Sequence, residues 1–224
     1  MVTMNKKIRR TLNSLGYGVQ SPNDFYFVQS VLRERTPYYA YATLAEVAEN
    51  AGKELPHYAG AVERMLFRLA NYVHPSTIVE VGAGTSALAL AEACPTAQCV
   101  TITSDHERGE MLARLLAACP HAEVKSGDEM AIFEQQLAKW GGVGMVHIAH
   151  TTHYREAVEE ALDYADDNMI IIIEELRASK EKLAWWNQLR DGAMTGTCYD
   201  LGNVGIIFLD RSRYKQVYWI KLRK

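Results

Sequence analysis

Glu80, Gly82, Ala83, Gly84 and Ser86 stand in one stretch, Thr77 to Leu90 (TIVEVGAGTSALAL), where an apolar run meets two close glycines and then a series of small residues. Glycines one residue apart let a chain turn sharply and bring its backbone close to a ligand, because no Cβ stands in the way. If Ile78, Val79 and Val81 form a buried strand and Thr85 or Ser86 opens a helix, the unpaired N–H groups of that helix point at whatever occupies the turn. Such an arrangement can seat a cofactor. Glu80 sets its charge, since a carboxylate two residues before the first glycine suits a positively charged ligand better than a pyrophosphate. The same acid could instead serve the fold by capping N–H groups inside the turn.

A second set of reactive side chains lies later. His147, His150 and His153 recur at intervals of three, which raises transition-metal ligation. The elements argue against it: His147 falls in a strand, His150 in a loop and His153 at a helix start, so the rings do not share a face and no metal is expected. His150, at the carboxyl end of its strand, suits a general base or a substrate contact, with an exposed loop position as the plainer reading. Glu174 and Glu175 follow the apolar run at 169–173 and bring two acids to another strand end.

Regular elements must hold these residues in place. Up to His74 the pattern is helical: Ser21 and Pro22 open a helix with Phe25, Val28, Val31 and Leu32 on one stripe. A second helix carries Leu44, Val47, Ala48 and Ala51 and stops at Gly52, and a third runs from Pro56 to the break at Pro75. From Thr77 the chain alternates, with strands at 77–82, 98–103, 122–126, 143–149 and 169–173. Helices at 85–93, 105–118, 129–139, 153–165 and 179–190 separate them. Residues 195–220 read as strands only, an antiparallel edge. Alternation of this kind implies a mostly parallel α/β sheet with helices on both faces and ligands beyond the carboxyl ends of the strands. On the helix at 153–165, Tyr154 belongs to an apolar stripe and is read as core, while of Trp185 and Trp186 one is expected inside and the other partly exposed.

Read together, these motifs resemble a known family. EVGAGTS resembles the ExGxG motif of class I S-adenosylmethionine-dependent methyltransferases; VTITSD, 100–105, resembles their second-strand motif, and SGD, 126–128, their GD after the third strand. HIAHTTHY, 147–154, stands where related proteins carry an IDGxHxY-like segment, and IIEEL, 172–176, where they carry a DD pair. SPNDFYFV and DLGNVGIIFLDR resemble a branch of small bacterial methyltransferases with an N-terminal helical region. The resemblance implies a Rossmann-like methyltransferase domain at 76–224 and a helical annex or lid at 1–75. It also implies S-adenosylmethionine as cofactor, held by Glu80, Gly82, Ala83, Gly84, Ser86, Thr103, Ser104 and Asp128.

Two positions depart from that family. Thr103 stands where the family carries an acid on the ribose diol. Losing a hydrogen bond to a charged group, worth about 1.5–3 kcal/mol, weakens binding roughly ten- to a hundredfold unless Ser104 or Asp105 reaches in. Ser104 has a local alternative, a capping box with Glu107, and Asp128 has one as a helix cap. Ala149 stands where metal-dependent relatives carry one acid, while Glu174 and Glu175, each a methylene longer than Asp, keep the charge of the second. The resemblance thus makes Glu174 and Glu175, with His150, the candidate catalytic groups, and metal-dependent oxygen methylation is not expected.

Composition narrows the rest. A chain of 224 residues, 48% of them hydrophobic, can bury one substantial core but is short for two enzyme domains. A net charge of -3 and a pI near 6.2 argue against nucleic-acid or membrane-surface partners, and the basic run Lys6 to Arg10 reads as a solvated helix face. No stretch has the length of a membrane span or the form of an export signal, so a cytoplasmic protein is expected. Cys94, Cys99, Cys119 and Cys198 show no metal or disulfide spacing and read as buried thiols. The first functional expectation is a methyltransferase acting on a small molecule, the second a non-catalytic interaction module that self-associates, naturally as a homodimer. The third is a nicotinamide-dependent oxidoreductase, because Gly82, Gly84 and Ala87 also satisfy a loose GxGxxA pattern.

Overall fold

The computed structural model describes residues 6–51, 60–82, 84–210 and 212–222. Gly52, Pro56 and Ala83 lie outside the described residues. The first strands are β1 (Thr77–Val81), β2 (Gln98–Thr103), β3 (Ala122–Ser126), β4 (Met145–Ile148) and β5 (Ile170–Ile173). Three short strands follow: β6 (Thr197–Asp200), β7 (Gly205–Phe208) and β8 (Val217–Trp219). Their order across the sheet is β3-β2-β1-β4-β5-β7-β6-β8. β7 runs antiparallel to both β5 and β6, and β8 adds parallel to β6. All four isoleucines of β5 are buried, as expected of a parallel strand covered on both faces.

The chain steps from β1 outward to β2 and β3, then returns to lay β4 on the other side of β1. At that reversal the loops leaving β1 and β4 diverge, which makes their carboxyl ends the place for a ligand crevice. The glycine turn therefore sits at the switch point. Between the strands run α5 (Ser86–Ala93), α6 (His106–Leu115), α7 (Glu129–Trp140), α8 (Tyr154–Asp163) and α9 (Lys180–Asp191). Trp186 on α9 is wholly buried, whereas Trp185 is half-buried beside Tyr154 with ring centroids 4.9 Å apart.

Among the described residues the N-terminal region holds the helices α1 (Lys6–Ser14), α2 (Pro22–Phe27), α3 (Ala40–Ala51) and α4 (Ala61–Val73). Ser21 caps α2 by accepting from the Asp24 N–H at 3.3 Å. The helix then widens into a π-helical turn, Val28–Leu32. That wider turn shifts the phase of the stripe, so Phe27 is buried with Val28, Val31 and Leu32, while Phe25, expected on that face, is 45% exposed. Phe27 packs on Tyr199 at 4.8 Å and on Phe208 at 5.1 Å, placing α2 against β6 and β7. Buried Asp24 accepts from the hydroxyls of Tyr199 at 2.8 Å and Tyr218 at 3.2 Å and from Arg213 Nη1 at 3.2 Å. One hydrophobic cluster thus contains helical residues such as Leu66 and Leu69 together with Ile172 and Ile206 of the sheet. Among the described residues no helix is long and apolar enough to cross a membrane.

Candidate functional site

Gly82 adopts φ +75°, a conformation that favours glycine, and a Cβ there would lie 2.6 Å from the His150 carbonyl carbon and 2.8 Å from the Thr151 nitrogen. The His150 N–H donates to the Gly82 carbonyl at 2.9 Å, so the turn rests directly on the loop after β4. The helix behind it, α5, has no side-chain cap. Thr85 spends its hydroxyl on Glu63 Oε1 at 3.0 Å, linking α4 to the turn, and Ser86 donates to Glu80 Oε1. An uncapped first turn keeps its donors for another acceptor.

Glu80 points into the sheet rather than capping the turn's backbone. The register sets it beside His147, and His147 beside Ile172, so Glu174, two residues further on, emerges on the same face. His147 Nδ1 lies 2.8 Å from Glu80 Oε1 and its Nε2 lies 2.9 Å from Glu174 Oε1. Thr101 donates to the other Glu80 oxygen at 3.2 Å. All three members of the row are buried. Burial acts against a charged imidazole, yet the hydrogen bonds to Glu174 and Glu80 and the charges behind them prevail, holding the His147 pKa up at about 9. An imidazolium between two carboxylates therefore ties β1, β4 and β5 together. Glu174 Oε2 is buried with no hydrogen-bond partner among the described residues.

At the ends of β2 and β3 the local alternatives are realised in part. Asp128 caps α7, accepting from the Met130 and Ala131 N–H groups at 3.1 Å each. The cap of α6 is Asp105, which accepts from the Arg108 N–H at 3.1 Å, in place of the Ser104 and Glu107 capping box. Ser104 turns elsewhere: its N–H and hydroxyl donate to Glu129 Oε1 at 3.0 and 3.2 Å. The other Glu129 oxygen accepts from Thr151 at 2.7 Å. Thr103 is buried and accepts from the Asp105 N–H at 3.2 Å.

Beyond β4 and β5 lie the acceptor-side candidates. His150 Nδ1 is 3.3 Å from Glu175 Oε1, and Glu175 holds a left-handed backbone at φ +57°, a strained conformation for a non-glycine residue. Buried Lys182 on α9 sets its Nζ 4.5 Å from the Tyr154 ring centroid. Burial lowers the Lys182 pKa, against the pull of Glu175 and Glu174. His153 is apart from this group, on Glu156 at 3.1 Å, so the three histidines occupy three separate settings. Sequence reasoning passed over His147 as a linker, and Glu129 and Lys182 altogether. Only strand register could have paired His147 with Glu80, whereas Glu129, next to Asp128 in a helix's first turn, gave no sign of its reach.

No protein-family model matches the sequence, and no curated protein matches it. Solved structures do match in three dimensions. An O-methyltransferase from Bacillus cereus in complex with SAH superposes with TM-score 0.63 at 18% identity, over 80% of this chain and 96% of that one. TomG from Streptomyces achromogenes, an O-methyltransferase of tomaymycin synthesis in complex with SAM, gives TM-score 0.61 at 17% identity, over 92% and 99%. A methyltransferase from Geobacter sulfurreducens gives 0.58 at 17%, over 84% and 96%.

Proposed function

We propose that this chain, whose fold is that of the class I methyltransferases, is an S-adenosylmethionine-dependent methyltransferase acting on a small-molecule acceptor. The observation that carries the reading is the switch-point turn itself: Gly82 at φ +75° in front of a helix with no side-chain cap, in the fold of proteins crystallised with SAM or SAH. The donors of that first turn and the backbone of Gly82 and Gly84 suit a carboxylate-bearing end of the cofactor. Ser104 and Asp128 stand at the ends of β2 and β3, where the ribose and adenine would lie. Glu129 supports the ribose end, because its carboxylate reaches the tip of β2 beside Thr103, the position where an acid is missing.

The cofactor supplies an electrophilic methyl group; the protein's task is to bring a nucleophile into line with it. His150 is the group we assign to take the acceptor's proton, a reading supported by its contact with Glu175 and by its backbone bond to the glycine turn. Lys182 balances the adjoining acids.

A second reading, a non-catalytic binding protein of the same fold, is favoured by the engagement of both Glu80 oxygens with Ser86, Thr101 and His147. Calorimetric titration separates the two. Saturable binding of S-adenosylmethionine and of its demethylated product, abolished in Gly82→Ala, is expected. No heat and no thermal shift at millimolar ligand would leave the binding-protein reading in its place.

A further inference from the structure

Asp200 closes β6 at the carboxyl edge of the sheet and is buried, yet arginines from three elements converge on it. Arg10 Nη2 of α1 and Arg177 Nη2 of the loop after β5 approach the same oxygen, Oδ1, at 2.7 and 3.2 Å, and Arg190 Nη1 of α9 lies 3.9 Å from Oδ2. Arg190 also pairs with Asp191 at 3.0 Å and, with Arg9, faces the Trp219 ring at 5.5 and 4.1 Å. Among the described residues three guanidiniums thus converge on Asp200, and one of them is shared with Asp191. The excess is positive on a chain whose net charge is -3.

The geometry of the two outer arginines adds a second observation. A Cβ built on Gly202, which sits at φ +102° and donates its N–H to Asp200 Oδ1 at 2.9 Å, would lie 3.7 Å from Arg10 Nη1 and 3.9 Å from Arg177 Nη1. Those Nη1 groups border one point, and the Arg10 Nε is buried without a hydrogen-bond partner. A like-charge pair held together with an unused donor is a poor end state in itself and a good start for an oxyanion, which guanidinium groups bind in fork geometry. Burial depresses the Arg10 pKa, with the pull of Asp200 opposing it and the charge of Arg177 adding to it.

We infer that Arg10 and Arg177, steered by Asp200 and Gly202, form a subsite for a phosphate monoester group on the small-molecule acceptor. Two guanidinium ends bordering one point offer more donors than the two oxygens of a single carboxylate take up, and they suit the several oxygens of a phosphate. Arg177 follows Glu175 by two residues, no more than about 7 Å of chain, so the subsite lies near the partly exposed acid beside His150. The loop is pinned to the β6–β7 turn, with the Leu176 N–H on the Asn203 carbonyl at 3.0 Å and the Arg177 N–H on Asn203 Oδ1 at 3.2 Å. The assignment to an acceptor rests on the methyltransferase reading; the anion site does not.

Titration of the full chain with inorganic phosphate, without S-adenosylmethionine and at ionic strength held constant with chloride, tests the site. Saturable binding and a thermal shift larger than acetate produces are expected, with affinity falling at least tenfold in Arg177→Gln. Arg177 is partly exposed, so this variant folds even if Arg10→Gln does not. Phosphate no better than chloride, acetate better than phosphate, or unchanged phosphate binding in a folded Arg177→Gln would each overturn the proposal. Because no cofactor is present, its failure is distinct from a failure to bind S-adenosylmethionine.

Discussion

His147 is the residue on which the site's electrostatics turn. It occupies a strand interior and is wholly buried, and the two acids beside it make its charge tolerable. Its pKa is raised from 6.5 to about 9, so the imidazolium's stabilising contribution is complete below pH 6.5 and is lost as pH rises to about 9. The shift corresponds to a contribution on the order of 3 kcal/mol. Thermal melts from pH 6 to 10 should show a falling Tm in the natural chain and a flatter profile in His147→Gln. That variant should itself lose about 3–5 kcal/mol at pH 6, because two buried carboxylates are left facing each other. Gly82→Ala forces a Cβ to within 2.6 Å of main chain at positive φ, and denaturant unfolding should report a loss of about 2–4 kcal/mol.

At the scale of elements, the crevice is governed by how the ends of β2, β4 and α7 meet. Glu129 begins α7, but its two oxygens join Ser104 after β2 to Thr151 after β4. If this carboxylate serves the ribose end, Glu129→Gln should weaken S-adenosylmethionine by roughly tenfold or more, and Thr103→Asp in that background should restore part of the loss. Unchanged calorimetric affinity in Glu129→Gln would confine the residue to holding loops. Strands and helices themselves were legible because burial imposes period on sequence: the inner strands β1, β4 and β5 are mostly apolar runs, and the helices carry stripes. The phase error at Phe25 has a local cause, since one wide turn rotates every later side chain.

Across the whole molecule, the N-terminal helices and the sheet share a core instead of merely touching. Phe27 is wholly buried against Tyr72, Tyr199 and Phe208, and Asp24 is bound by groups of β6, β8 and the segment before β8. We propose that the helical region is a lid in position only, and part of the folding unit in energy. Phe27→Ala should then cost about 3–5 kcal/mol and lower the single unfolding transition as a whole. A separate early transition for the helices, seen by calorimetry, would mark them as an independent module.

Local chemistry by itself determined the order of strands and helices, the glycine turn and the place of the sheet's ligand edge, because these follow from side-chain period and from backbone freedom at particular residues. Which distant side chains meet was decided only by tertiary structure. Glu80 met His147 through strand register, Ser104 met Glu129 across two loops, and Arg10 met Arg177 at Asp200 through the packing of α1 on the far edge. Each pairing depends on three-dimensional closure of segments far apart in the chain, and no periodicity within any one segment encodes it.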